Sequence, residues 1–226
     1  MGTQKQQLIL KEETFQCPLC QSKDVVIYFK DNHRTYLNCG FCNLVFVPQT
    51  YWLTPEQEKA VYDLHVNDSQ DQGYVKFLSR LADPLIKRIE PGKKGLDFGC
   101  GPGPVLAEML EEAGHQVDLF DMYYHNSPAV FSNQYDFICA TEVAEHLQEP
   151  GKTFETLFSI LKQDGWMGIM TKQVIDLEAF SRWHYIRDMT HICFYSRPTF
   201  EYLAQRFKAK LEFVGSDVIF LQKNRS

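Results

Sequence analysis

The chain has 226 residues, of which 44% are hydrophobic, enough for one domain with a sizeable core and a small appendage. Its formal net charge of −6, with no run of lysines or arginines, disfavours a nucleic-acid partner unless a local patch grips it. The opening MGTQKQQLILKEE carries an apolar stretch too short for a secretory leader and no later stretch approaches a membrane span, so a cytoplasmic location is expected.

In a reducing compartment the seven cysteines read as metal ligands or packing, not disulfides. Cys17-Pro-Leu-Cys20 and Cys39-Gly-Phe-Cys42 are two C-x2-C knuckles separated by 18 residues, a spacing that marks a tetrahedral zinc site. DVVIYF and RTYLNC, rich in β-branched and aromatic residues and joined by KDNH, predict a hairpin between the knuckles. This is the build of a zinc ribbon spanning 1–52. Four thiolates leave no open position for water or substrate, so the expected Zn2+ is structural and supplies folding free energy. Cys100, Cys139 and Cys193 stand alone and read as small core residues.

Thr54-Pro55-Glu56-Gln57 is a capping box with proline at the first helical position. Tyr74, Phe77, Leu78, Leu81, Leu85, Ile86 and Ile89 recur at helical spacing, with Pro84 a kink. These two helices bridge 53–92. From residue 93 strands and helices alternate: strand KGLDFG, helix PVLAEMLEEAG, strand HQVDLFD, strand YDFICA, helix PGKTFETLFSILKQDG and strand WMGIMTK. Helix RPTFEYLAQRF follows a Ser196 cap, and KLEFVG and DVIFLQK close a hairpin through Gly215-Ser216. The pattern is an α/β, Rossmann-like doubly wound sheet, mostly parallel with an antiparallel last strand.

GLDFGCGPGP, residues 95–104, sits where the first strand of that sheet turns into a helix, the place where such sheets hold a ligand. Glycines at 99, 101 and 103 let a ligand approach the backbone, but Pro104 stands where a dinucleotide fingerprint has its third glycine. Asp97 would repel a pyrophosphate and suits an amine. Asp121, ending the second strand, is placed for ribose hydroxyls. Together these describe a nucleoside with a cationic tail.

Here the chain resembles the class I S-adenosylmethionine-dependent methyltransferases, over 93–226, through LDFGCGPG, DLFD, YDFICATEVAEHL and LKQDGWMGIMT. The resemblance implies a seven-stranded sheet and S-adenosylmethionine as cofactor. It places Gly99, Gly101 and Gly103 under the methionine moiety with Cys100 and Thr141 beside it, Asp97 at the amino group, Asp121 at the ribose and Met122 on adenine. Only fourteen residues, Met122 to Tyr135, stand where the family fits a helix and a third strand, so Tyr123, Tyr124 or Phe131 are alternative adenine walls.

Methyl transfer to a hydroxyl, amine or enol calls for a base near the acceptor. Glu142, Glu145 and His146 share one face if TEVAEHL is helical, which makes His146 a candidate or, alternatively, a histidine held structurally by Glu142. The segment 180–196 collects Tyr185, Arg187 and His191: Arg187 to clamp an anionic acceptor or to pair with Asp188 or Glu178, His191 or Tyr185 to take the proton. The reading is a methyltransferase for a small, anionic acceptor. The alternatives are an RNA methyltransferase gripping its substrate with the ribbon, or a non-catalytic adaptor that binds the cofactor.

Overall fold

Residues 15–64 and 68–225 are described by the computed structural model; MGTQKQQLILKEE lies outside them. Between the cysteine knuckles the expected hairpin forms from β1 (Val25–Lys30) and β2 (Thr35–Cys39), with Val25 opposite Cys39 and Lys30 opposite Thr35. The turn is set by Asp31, whose Oδ1 accepts from the backbone N–H of His33 at 2.7 Å and of Arg34 at 2.8 Å. β3 (Val45–Phe46) pairs with β2 on one side, and on the other with a strand from the far end of the chain, Cys193–Phe194. The knuckle unit is therefore part of one sheet with a segment from near the far end of the chain.

Two helices lead onward: α1 (Pro55–Tyr62), with the Thr54–Gln57 capping box formed in both directions, and α2 (Gln72–Ile86), capped by Asp71 and ending two residues after Pro84. The main sheet then builds from β4 (Lys94–Phe98), β5 (Gln116–Phe120), β6 (Tyr135–Thr141) and β7 (Leu161–Met170), all parallel. The strand Cys193–Phe194 is β8, and the closing hairpin is β9 (Ala209–Val214) with β10 (Val218–Lys223). β10 runs antiparallel to β7, giving the order β5-β4-β6-β7-β10-β9. Among the described residues the sheet has six strands, not seven. The stretch after β5 is too short for a crossover helix and a further strand, and holds one 3-10 turn at Pro128–Ser132.

Alternation along β6 separates two cores. Phe137 and Cys139 face α2 and α3 (Val105–Glu112). Ile138 and Ala140 face the side of α4 (Pro150–Ile160) and α6 (Arg197–Arg206). Tyr36, Leu44 and Phe46 from the knuckle unit belong to this second core, so the small sheet and the large one bury apolar surface against each other. A short helix, α5 (Leu177–Ser181), places Phe180 against Tyr36 and Phe194.

Candidate active site and candidate metal centre

The carboxyl end of β4 runs into bare backbone. Gly99 and Gly101 have φ of 78° and 66°, a region where a side chain is strained. A Cβ on Gly99 would also lie 2.3 Å from Val143, so neither space nor conformation admits one. The loop is tied to β5: the N–H groups of Gly99 and Cys100 donate to the Phe120 carbonyl at 2.7 and 3.2 Å, and that of Gly101 donates to Asp121 Oδ2 at 3.1 Å. Asp121 Oδ1 accepts from the N–H groups of Tyr123 and Tyr124. Three of the carboxylate's roughly four acceptor sites are thus engaged by backbone. Burial, with the Asp121 charge nearby, pushes the Asp97 carboxyl up to about 7.

A cavity of about 990 Å³ opens above this loop. Asp97, Gly99, Cys100, Gly101, Gly103 and Asp121 line it, and so do Met122, Thr141, Glu142, His146, Asp188 and His191. The expected cofactor residues and both candidate histidines therefore share one space. α1 and α2 wall it with Glu58, Tyr62 and Tyr74, which sequence reading treated only as bridging helix. Tyr123 and Tyr124 line it too, and their hydroxyls donate to Glu58 Oε2 at 2.8 Å and Asp63 Oδ1 at 2.7 Å, fastening α1 to the loop after β5. Phe131 does not reach it; its ring packs on Phe120 and Phe98 in the core. Thr141 Oγ1 and Glu142 Oε1 are buried without a protein partner.

TEVAEHL is not a helix. Glu142 has φ 52°, and only Ala144–His146 forms a 3-10 turn. Glu145 is fully buried and accepts from Thr171 Oγ1 at 2.9 Å and from the Tyr185 hydroxyl. Burial pushes Glu145 up to about 7, and burial together with the Glu145 charge pushes Glu142 up to about 8. The sharp turn after β6, which sequence periodicity did not reveal, brings His146 to His191 with ring centres 4.8 Å apart. His146 Nδ1 donates to the Thr190 carbonyl at 3.1 Å and His191 Nδ1 to the Tyr185 carbonyl at 2.8 Å. Burial, then His146, pushes His191 down to about 4.

Two residues expected to act from the 180–196 segment, Tyr185 and Arg187, lie outside the cavity lining. Tyr185 is buried outside the cavity lining, its phenol held far above the usual range by burial and by Glu145, and its hydroxyl donates to that carboxylate. Arg187 is exposed, lies outside the cavity and forms no ion pair among the described residues. Glu178 pairs with Arg182, and Asp188 Oδ1 accepts from Thr190.

The guanidinium that organises the segment is Arg34, at the turn of the knuckle hairpin and 1% exposed. Nη1 donates to the carbonyls of His191 at 3.0 Å and Met189 at 3.3 Å, and Nη2 to those of Ile186 at 2.6 Å and Asp188 at 2.7 Å. Nε donates to the Tyr36 hydroxyl at 3.0 Å. All five N–H donors of the planar fork thus have targets, and the loop carrying Asp188 and His191 is wrapped around it. Sequence reading missed Arg34, because an arginine in a polar hairpin turn looks like a solvated one.

Cys17, Cys20, Cys39 and Cys42 converge with their sulfurs within 4.8 Å of one another. Cys17 to Cys42 and Cys20 to Cys39 each measure 3.5 Å. A tetrahedral ion with Zn–S bonds of about 2.3 Å separates its sulfurs by about 3.8 Å, so the four thiols fit zinc. Hydrogen bonding from Cys42 pulls Cys17 down to about 6, while burial pushes Cys20 up to about 12. Cys139 and Cys193 are core residues as expected, and Cys100 lines the cavity.

The family model described as a methyltransferase domain matches residues 68–212. A ubiquinone biosynthesis O-methyltransferase from Nitrosospira multiformis is 26% identical over 144 residues, covering 53% of this chain and 55% of that protein. The chain thus matches about half the length of that curated relative. Two solved structures share the fold. One is the Burkholderia thailandensis 1,6-didemethyltoxoflavin-N1-methyltransferase with its bound 1,6-didemethyltoxoflavin and S-adenosylhomocysteine, 14% identical, TM-score 0.53, covering 87% of this chain and 98% of that one. The other is a SAM-dependent methyltransferase from Archaeoglobus fulgidus, 18% identical, TM-score 0.51, covering 66% and 94%. No helix among the described residues is long and apolar enough to cross a membrane.

Proposed function

The chain belongs to the methyltransferase domain family, and from that premise we propose that it moves the methyl group of S-adenosylmethionine onto a hydroxyl oxygen of a small acceptor, with a structural zinc in its knuckle unit. The observation that carries this reading is that the glycine loop with Asp97 and the pair His146 and His191 line one cavity. S-Adenosylmethionine fits the donor set. Its ammonium would meet Asp97 and the unpartnered Thr141 and Glu142 oxygens, Gly99 and Gly101 admit its carbon chain, and Asp121 has acceptor capacity left for one ribose hydroxyl. In the transfer the acceptor oxygen attacks the methyl carbon, the C–S bond breaks with its electron pair going to sulfur, and the hydroxyl proton leaves on the side of His146 and His191. Holding oxygen and methyl in line contributes roughly 7–11 kcal/mol to such reactions.

Charge argues for a neutral acceptor and against the anionic one that Arg187 suggested. Glu58, Asp121, Glu142, Glu149 and Asp188 line the cavity, and Lys152 is the only lysine or arginine among the lining residues described. The same acidity works against RNA phosphates, and the name of the Nitrosospira relative supports oxygen as the methylated atom. An adaptor without catalysis gives no reason for histidines to face the cofactor loop.

Calorimetry with S-adenosylhomocysteine tests the cofactor half. One equivalent binds with micromolar affinity, and Gly99→Ala, which drives a methyl into Val143, weakens it at least tenfold. Failure of the wild type to bind, or tighter binding of a nicotinamide dinucleotide, overturns the reading. A pH series adds a sign. Asp97, raised to about 7, must lose its proton to pair with the ammonium, so affinity rises from pH 6 to pH 8 and binding in that window releases protons. In the free protein the same shift stabilises the fold fully below the ordinary carboxylate range, and that contribution is lost as pH rises through 7. Affinity that stays flat across the window removes Asp97 from the amine.

A further inference from the structure

We infer that the groove between the knuckle sheet and the segment after β7 is a second ligand site, separate from the cavity above the glycine loop, and that it takes a small aromatic hydroxy acid. The groove has a volume of about 810 Å³. Three parts of the chain wall it: Tyr28 and Asn38 from the knuckle hairpin, Lys172, Gln173 and Trp183 from the stretch that follows β7, and Arg197 at the start of α6. Among the described residues none lines both this groove and the first cavity. Because the knuckle unit and the main sheet each supply a wall, the site exists only in the assembled chain.

The charge of the groove is opposite to that of the first cavity. Lys172 and Arg197 form no ion pair among the described residues. Lys172 Nζ lies 3.0 Å from His184 Nε2, and its charge reaches Glu142 only at longer range. The Arg197 guanidinium covers the Phe213 ring at 4.1 Å, a contact that uses its face and not its N–H donors. The carboxylate in the wall, Asp217, is already paired with Arg80. α6 also begins here with no acidic residue in its first turn, so the positive end of its dipole adds to the same field. Two cations without a carboxylate partner favour an anion, and a carboxylate matches the guanidinium fork.

Gln173 says what else the ligand carries. Its Nε2 donates to the Ser216 carbonyl at 2.9 Å, which fixes the amide, since the flipped orientation sets two oxygens against each other. Oε1 is left buried and without a protein partner. An anion cannot satisfy that acceptor, whereas a hydroxyl donor can, and a buried acceptor left unpaired is costly. The remaining wall is aromatic and flat-faced. Trp183 stacks on Tyr185 with ring centres 4.8 Å apart, and Tyr28 meets Phe180 edge-on. Such faces suit a ring. A carboxylate for the cations, a ring for Trp183 and Tyr28 and a hydroxyl for Gln173 make an aromatic hydroxy acid.

The site is independent of the proposed methyl transfer, and the probe is 3-(4-hydroxyphenyl)propanoate. Calorimetry on the full chain, with and without saturating S-adenosylhomocysteine, finds one equivalent bound in both conditions. The des-hydroxy 3-phenylpropanoate binds about tenfold more weakly, as does the uncharged 3-(4-hydroxyphenyl)propanamide. Arg197→Gln and Lys172→Gln each weaken the hydroxy acid about fivefold or more. Gln173→Leu makes the hydroxy and des-hydroxy acids bind alike, while Lys152→Gln, which alters the first cavity, changes nothing. An unchanged melting temperature shows that each variant is folded, and the probe series on the wild type stands even where a variant is not. A wild type that binds none of the probes overturns the site. Displacement of the hydroxy acid by S-adenosylhomocysteine also overturns it, because the probe then occupies the first cavity. Inorganic phosphate that binds as tightly as the hydroxy acid and displaces it reduces the groove to a simple anion site and overturns the ligand class. A wild type that binds the hydroxy acid but not S-adenosylhomocysteine supports the groove and overturns the methyltransferase reading instead.

Discussion

Replacing Arg34 with methionine lowers the melting temperature by about 10–15 °C, corresponding to a loss of about 4 kcal/mol in a chain of this size. Methionine fills most of the volume but leaves the carbonyls of Ile186, Asp188, Met189 and His191 facing an apolar side chain. Each hydrogen bond from a charged donor contributes roughly 1.5–3 kcal/mol, and the total falls short of the sum because the loop relaxes toward water. Arg34→Lys recovers less than half of the loss, since one ammonium cannot serve a fork of carbonyls set around a planar guanidinium. The readout beyond stability is the His191 imidazole. Arg34 holds the His191 carbonyl, so in the variant the ring's histidine resonance moves from that of a buried, oriented imidazole toward that of a solvated one. Affinity for S-adenosylhomocysteine changes little, because the glycine loop hangs from β4 and β5. A melting temperature within about 2 °C of wild type shows that water replaces the guanidinium and that the brace carries no weight.

What the sequence disclosed and what it hid divide along the range of the interactions. The hairpin between the cysteines, the Thr54 and Ser196 caps, the glycine loop and the closing β9–β10 hairpin are all specified within a few residues, and each stands where the sequence placed it. The failures involve partners far apart in the chain. β8 joins the knuckle sheet across nearly 150 residues, and no local pattern marks two residues, Cys193 and Phe194, as the edge partner of Val45 and Phe46. TEVAEHL has a helical spacing of polar residues, yet Glu142 takes a positive φ because the chain must turn sharply at the end of β6 for Glu145 to reach Thr171 and Tyr185. His146 and His191 were legible as chemistry but not as neighbours. Arg187 and Arg34 exchange the roles their positions suggest: the arginine inside the polar segment faces solvent, and the one in a distant turn is buried within it. Charge alone could not tell them apart, because both sit among polar residues.

Removal of the proposed zinc from the knuckles is expected to loosen more than a small ribbon. If the four converging sulfurs hold zinc as proposed, metal analysis of the purified chain is expected to find one equivalent that Cys39→Ser removes and Cys100→Ser, which lines the cavity above the glycine loop, leaves in place. In zinc-finger peptides the ion supplies roughly 10–16 kcal/mol of apparent binding free energy, which for a unit this short is its folding free energy. Without it, only sulfur–sulfur hydrogen bonds link Cys17 to Cys42 and Cys20 to Cys39, while burial and the neighbouring charge oppose the thiolate form of Cys20. Loss of those links frees both ends of the hairpin, and Arg34 sits at its turn, so the loop of Asp188 and His191 loses its brace along with Tyr36 and Phe46 from the shared core. The expected result of a strong chelator is therefore increased protease cleavage within 184–192, far from any cysteine ligand in sequence, with S-adenosylhomocysteine still bound at the glycine loop. Cleavage confined to the knuckle residues, with 184–192 as protected as before, shows instead that the two cores are independent and that zinc serves the ribbon alone.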